Sequence, residues 1–256
     1  GGPGHLPVDV SDGPVAGGEI TVPGDASSQF LSGLLLAGIE VTVEGPLVSE
    51  PYVALTRTAI DAFAGGPRDY HVEPDASAAS YFFALAAASP GRSIRVEGVR
   101  GLQGDWAFVD VLASMGASVA RDDDAITVTG AGELRGVEVD MTDISDTAQT
   151  LAAIAPLASS PTRITGIGFI RRKETDRVGN TVRELRRLGI DAVEEDDGFV
   201  VHPGAPQPAT IETYDDHRMA MSFGVLAEVV PGITIADPDC VGKTYPGFWD
   251  ELERLR

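Results

Sequence analysis

A mixed α and β fold (α+β) assembled from repeated βαβαββ units is what this sequence predicts, and three observations predict it. Four segments share one pattern, in which an extended stretch leads to a short polar or acidic cluster and then a helix of small apolar residues. Each is followed by a strand ending in glycine or proline and by a second helix. Asp75, Asp146 and Asp216, which open three of these helices, stand 71 and 70 positions apart.

The four strand-and-helix openings are ITVPGDASSQFLSGLLLAGI, YHVEPDASAASYFFALAAAS, VEVDMTDISDTAQTLAAIAPLAS and ATIETYDDHRMAMSFGVLAEVV. The strands that follow are EVTVEGP, RSIRVEGV, TRITGIGF and GITIADPD. The second helices are PYVALTRTAIDAFA, DWAFVDVLASMGA, ETDRVGNTVRELRRLG and PGFWDELERLR. Apolar residues at three- and four-residue spacing, as in Val178, Val182 and Leu185, mark the helices, and alternation, as in Ile94 and Val96, marks the strands. Asp, Ser or Thr at the openings reads as an N-cap, because a short side-chain oxygen can accept from a free N–H of the first turn. Turn-linked strand pairs, ASVARDDDAITVTG and IDAVEEDDGFVVHPG, close the two middle units.

The first unit departs from the rule. Asp25 to Asp75 is only 50 positions, and the shortfall, about one strand pair, falls between Phe63 and Tyr70. A hinge is expected at the glycine-interrupted loop from Val99 to Gly104. The Gly- and Pro-rich opening reads as the end of something longer.

A length of 256 residues suits one large or two modest domains with a real core. The formal net charge of −20 argues against a nucleic-acid partner, since a phosphate backbone needs a basic face. No apolar run approaches the roughly 18 residues that mark a bilayer span, and no leader pattern opens the chain, so no membrane association is expected. With Cys240 the only cysteine, an internal disulfide is excluded and a reducing cytoplasm is the expected home.

Of nineteen cations only Lys173 and Lys243 are lysines. In RRKETDR the pattern expects a helix opening that places Lys173 and Arg177 four apart on one face, with Glu174 three before Arg177. A helix N-terminus favours anions, so cations gathered there fit a site that an anion completes, although a solvated helix end with internal ion pairs fits the same charges. TYDDHRMAM presents Asp216 as an N-cap and Arg218 in the first turn, with His217 a structural histidine or an acid–base group. DCVGKTYPGF puts Lys243 in a loop before the last helix. Asp146 reads either as an N-cap or as a carboxylate able to accept a proton from a hydroxyl. Ser27, Ser28 and Gln29 open the first helix with groups that suit a phosphate or a cap equally well.

PGDASSQFLSGLLLA, SEPY, PDASAASYFFA, LQGD, DISDTAQT, RRKETDR, TYDDHRMAMSF and DPDCVGKTYPGFW together resemble the 5-enolpyruvylshikimate-3-phosphate synthase family, in order and at nearly family spacing. The resemblance runs from about Gly17 to Leu255 and implies the two-lobed inside-out α/β barrel of the enolpyruvyl transferases. On that reading residues 1–103 are a partial first lobe and 104–256 the second, and the family's N-terminal segment, with its own cations, is absent. The implied activity is enolpyruvyl transfer from phosphoenolpyruvate to the 5-hydroxyl of shikimate 3-phosphate, with no metal or organic cofactor. The family is usually monomeric, and pairing with a missing N-terminal segment is an open alternative.

Carried over residue by residue, the resemblance gives Ser27, Ser28, Gln29, Ser49, Tyr52, Asp146 and Lys173 to shikimate 3-phosphate. It gives Gln29, Arg177, Arg218 and Lys243 to phosphoenolpyruvate, and makes Asp146, Glu174 and Lys243 catalytic. Phe169 stands where many relatives have an asparagine. The rival readings are a UDP-N-acetylglucosamine enolpyruvyl transferase and a non-catalytic or split-enzyme binding fragment.

Overall fold

The computed structural model describes residues 20–256. The opening segment named above, up to residue 19, lies outside the described residues.

The third unit is the complete one. Strand β6 (Glu138–Asp140), helix α5 (Ala148–Ile154), strand β7 (Thr162–Thr165), helix α6 (Arg177–Arg187) and the hairpin β8 (Ala192–Glu195) and β9 (Gly198–Val201) follow in order. They form a four-stranded sheet in the order β6-β7-β9-β8, with β6 and β7 parallel and the other pairs antiparallel. A parallel neighbour requires a crossover, which α5 supplies, whereas the hairpin closes on a tight turn. Gly198 is needed there, because a Cβ would lie 1.9 Å from the Ile164 carbonyl oxygen.

The other units are shorter. In the second, helix α3 (Ala76–Ala87), β3 (Ser93–Glu97), α4 (Phe108–Met115) and the hairpin β4 (Ser118–Arg121) and β5 (Ala125–Thr129) give a three-stranded sheet, order β3-β5-β4. The strand expected at YHVEP does not form. Pro74 lacks an N–H to donate to a ladder, and the Glu73 carboxylate instead accepts from the backbone N–H groups of Arg100, Leu102 and Gln103. The loop expected as a hinge is thereby stitched to residues 73–76, with Gln103 Oε1 also taking the Ala76 N–H at the start of α3.

The first unit contributes β1 (Ile20–Pro23), α1 (Ser28–Leu36), β2 (Val41–Glu44) and α2 (Glu50–Phe63), with β1 and β2 parallel. No strand pair follows α2 among residues 64–70, in line with the shortfall read from the spacing. The fourth unit has β10 (Thr210–Ile211), α7 (His217–Val229), β11 (Thr234–Ile235) and α8 (Phe248–Arg254), again with a parallel pair.

The core lies on α3, α5 and α7. All seven residues of α5 are buried, and α3 is buried along nearly its whole length. A helix with no polar face must be covered on every side, and small residues such as Ala84, Ala86 and Ala152 let these three approach closely. One hydroxyl from each helix joins a thread between them, with Ser80 Oγ 3.2 Å from Thr150 Oγ1 and Thr150 Oγ1 3.4 Å from Ser222 Oγ. Buried hydroxyls need partners, and this thread satisfies one from each helix. The division at 103/104 read from the sequence would separate α3 from α5 and α7, yet in the structure these helices pack together. No helix among the described residues is long and apolar enough to cross a membrane.

Candidate active site

The starts of α5, α6 and α7 converge on one charged cluster. Arg177, the first residue of α6, is 2% exposed and fully engaged by carboxylates. Its Nε donates to Asp216 Oδ2 at 2.7 Å and its Nη2 to Asp216 Oδ1 at 3.3 Å, a two-point fork. Nη1 reaches Asp146 Oδ1 at 3.3 Å and Nη2 reaches Glu174 Oε2 at 2.6 Å. Arg218, in the first turn of α7, donates from Nη2 to Asp146 Oδ2 at 2.8 Å and from Nη1 to the Asp146 carbonyl at 3.2 Å. The buried Arg218 Nε has no partner among the described residues.

Two local departures from the expected helices shape the cluster. RRKETDR does not open a helix at Lys173. Residues Gly168–Arg172 form a 3-10 turn, and α6 begins only at Arg177, because Asp176 caps it by accepting from the N–H groups of Val178 and Gly179. Lys173 and Glu174 therefore lie in the turn before the helix and not on one helical face with Arg177. Asp146, for its part, is not an N-cap. It sits inside a 3-10 turn, Ser145–Thr147, before α5, so its carboxylate is free of backbone duty and turns to the two arginines.

Asp216 is the N-cap that was expected, accepting from the Arg218 N–H at 2.8 Å. Tyr214 and Asp215 just before it adopt left-handed backbone, φ 56° and 57°. Non-glycine residues rarely adopt that region, so local strain is held where it sets the entry of α7. Ser49 does the same at the start of α2, with φ 53°.

The electrostatics follow from the geometry. Burial pushes the Asp146 carboxyl upward, but Arg218, Arg177 and Lys173 outweigh it and hold the group below the usual carboxylate range. Burial likewise raises Glu174, while its bond from Lys243 Nζ, 2.6 Å to Oε1, and the charge of Arg177 bring it down to about 2. Lys243 itself is 55% exposed, the most open cation of the group. His217 is buried, and burial followed by the charge of Arg218 lowers its pKa, which favours neutral imidazole.

Tyr52, near the start of α2, approaches from the other side, with its hydroxyl 3.1 Å from Asp105 Oδ2 and 3.4 Å from Asp146 Oδ2. Pro51 makes this possible by pressing on Gly104, where a Cβ would lie 2.4 Å from the proline Cβ. The Ser49 N–H donates to the Thr142 carbonyl at 3.3 Å, a second bond across the same junction. Ser27 caps α1 by accepting from the Gln29 N–H, Ser28 is buried and Gln29 exposed. None of the three has a described hydrogen bond into the cluster.

The structure therefore brings Asp146, Glu174, Arg177, Arg218, Lys243 and Tyr52 into one hydrogen-bonded group, with Lys173 close enough to act on Asp146 through charge. Ser27, Ser28, Gln29 and Ser49 stand apart from it. Phe169 is half-buried and packs against the core. Three members were not singled out from the sequence as site residues. Asp216 was read only as a cap. Tyr81, whose hydroxyl accepts from Arg218 Nη1 at 3.5 Å and whose pKa burial pushes up to about 12, was given no role in the sequence reading. Asp105 was visible within LQGD but given no role.

The family model described as EPSP synthase (3-phosphoshikimate 1-carboxyvinyltransferase) matches residues 65–252. The chain is 41% identical over 278 residues to a 3-phosphoshikimate 1-carboxyvinyltransferase of Methanoculleus marisnigri, covering 98% of this chain and 65% of the relative. It is 43% identical over 281 residues to that of Nostoc punctiforme, covering 100% and 66%. A solved EPSP synthase from Acinetobacter baumannii superposes with a TM-score of 0.77 at 25% identity, over 94% of this chain and 63% of that one. The enolpyruvyl transferase NikO from Streptomyces tendae, at 22% identity, shares the fold with a TM-score of 0.70, over 93% of this chain and 64% of that one. The chain thus spans slightly under two thirds of the length of the relatives it matches.

Proposed function

This chain belongs to the EPSP synthase family, and from that premise we propose that its charged cluster is the larger part of an enolpyruvyl-transfer site. The reaction would join the 5-hydroxyl of shikimate 3-phosphate to C2 of phosphoenolpyruvate as C3 is protonated, then expel phosphate from the tetrahedral intermediate. The observation that carries this reading is a single carboxylate, Asp146, held ionised between two arginines, the buried Arg177 and the partly buried Arg218.

In this reading Asp146 accepts the proton of the attacking hydroxyl. Glu174 and Lys243, bonded to each other, move the proton at C3. Arg218 holds the carboxylate and phosphate of phosphoenolpyruvate, and its unpartnered Nε supports that role. Arg177 acts on the same substrate, but with three carboxylates already upon it, it serves chiefly to hold Asp146 and Glu174 in place. Lys173 and Tyr52 belong to the shikimate 3-phosphate side, with Ser27, Ser28, Gln29 and Ser49 joining them when the α1–α2 portion closes on the cluster. The packing of α3 with α5 and α7 favours a lobe boundary near residues 72–76, ahead of the one at 103. The lone Cys240 favours a reducing cytoplasm.

Titration calorimetry tests the assignment with both substrates on the chain, alone and joined to the N-terminal third of a relative. Shikimate 3-phosphate is expected to bind, with affinity falling about tenfold or more in Lys173→Ala, the loss ordinary for a charged hydrogen bond. Phosphoenolpyruvate binding is expected to fall by a similar factor in Arg218→Ala. Unchanged affinities in both variants would overturn the site assignment.

A further inference from the structure

We infer that Asp105 is a positioning residue for Asp146, acting through the one proton of the Tyr52 hydroxyl. This goes deeper into the site proposed above and rests on reading Asp146 as its base. Tyr52 has a single proton and two carboxylate acceptors, Asp105 Oδ2 at 3.1 Å and Asp146 Oδ2 at 3.4 Å, so it cannot serve both fully. Asp105 is 2% exposed, and its Oδ1 has no partner among the described residues. Its Oδ2 accepts from Ser77 Oγ as well as from Tyr52.

The bonds from Ser77 and Tyr52 occupy only Oδ2 of this buried carboxylate, and its Oδ1 is left bare among the described residues. A two-position hydrogen bond gives the carboxylate a task. When Asp105 is ionised it holds the phenolic proton, and Asp146 Oδ2 is left to Arg218, which makes Asp146 the stronger proton acceptor. When Asp105 is protonated it donates to the Tyr52 oxygen. Tyr52 then turns its own proton toward Asp146, and a carboxylate that gains a donor loses basicity. Tyr52 stays protonated throughout, because burial, and then the charges of Asp105 and Asp146, raise its pKa.

The groups facing Asp105 are Tyr52 from α2, Ser77 from α3, Asp146 from the turn before α5 and Arg218 from α7. Burial, with the charge of Asp146, pushes Asp105 up to about 6, against the bonds from Ser77 and Tyr52 and the charge of Arg218. The exchange of the Tyr52 proton is therefore centred near pH 6, with Asp146 the better base on the alkaline side.

The test is a carbon-13 NMR titration of the chain from about pH 4 to pH 9, following the Asp105 and Asp146 carboxyl carbons and the Tyr52 Cζ. Asp105 is expected to titrate near pH 6, with the same inflection on Tyr52 and Asp146. Asp105→Asn removes that inflection from both. Ser77→Ala, which deletes a donor to the charged form, moves it to higher pH and serves if the first variant does not fold. Tyr52 and Asp146 resonances that stay flat through the Asp105 transition, or keep it in Asp105→Asn, overturn the proposal, as does an inflection unmoved by Ser77→Ala. If the coupling is seen while Asp146→Asn keeps full turnover, the base assignment falls and the coupling stands. If turnover depends on Asp146 and the resonances are flat, the coupling alone falls.

Discussion

Between Ile20 and Phe63 two strands, two helices and their connections bury only three apolar side chains to the core level, Leu31, Val48 and Val53, and leave Phe30, Leu36 and Phe63 exposed. From Ala76 onward the same kinds of element enclose α5 completely and α3 and most of α7 nearly so. Both regions follow one sequence pattern, so the contrast shows that periodicity specifies elements while their neighbours specify how firmly they are held. The charged cluster hangs on the well-packed region, where its arginines are anchored in helix starts. The serines assigned to shikimate 3-phosphate ride on the thin one, joined to the body by Pro51 on Gly104, by Ser49 and by Tyr52. Rigid cations and carboxylates with a lightly held second face suit a site that closes on its substrates.

The largest effect that sharpens this contrast comes from Arg177→Ala. It strands Asp146, Glu174 and the wholly buried Asp216 without their shared cation, a loss expected to cost about 3–5 kcal/mol of stability by urea unfolding. A cost near zero would mean that the cluster is not held by this residue. Core truncations range from a comparable cost to a smaller one. Phe83→Ala, wholly buried in α3, is expected to cost about 3–5 kcal/mol, and Leu31→Ala, beside open surface, about 2 kcal/mol. Equal costs would break the comparison between the two regions.

The pH dependence is smaller. Glu174 and Asp146 have folded pKa values below their ordinary ones, so their contribution is fully present above the unfolded values near 4 and is lost as pH falls through the folded ones, about 2 for Glu174. The melting midpoint should therefore drop between about pH 4 and pH 2, and drop less in Lys243→Ala, where the Glu174 pair is already gone. A Lys243→Ala profile that overlays the wild type would remove this pair from the account.

Much of this was legible in the sequence. Repeat spacing located the hairpins of the middle units and the shortfall before Tyr70, because β- and α-periodicity are local properties. Asp75 and Asp216 were legible as caps for the same reason. The family resemblance, through DISDTAQT, KETDR and DHRMAM, singled out Asp146, Glu174, Arg177 and Arg218. What stayed hidden was decided by tertiary contacts. The YHVEP segment gave up its strand to the Glu73 clasp, and α6 began at Arg177 because Asp176 took the capping role. Tyr81 and Asp105 gave no signal of their own, since an apolar helix and a short loop acquire site residues only by what folds against them.

Phosphate release from phosphoenolpyruvate in the presence of shikimate 3-phosphate reports on Asp146, between Arg177 and Arg218, as the proposed base of an enolpyruvyl transfer. It should be measured on the chain joined to the N-terminal third of a relative, beside its Asp146→Asn variant. Release is expected to depend on shikimate 3-phosphate and to fall about 10²–10⁴-fold in the variant, the range lost with a general base. Absence of release in both forms, or release that Asp146→Asn leaves intact, would contradict that role for Asp146.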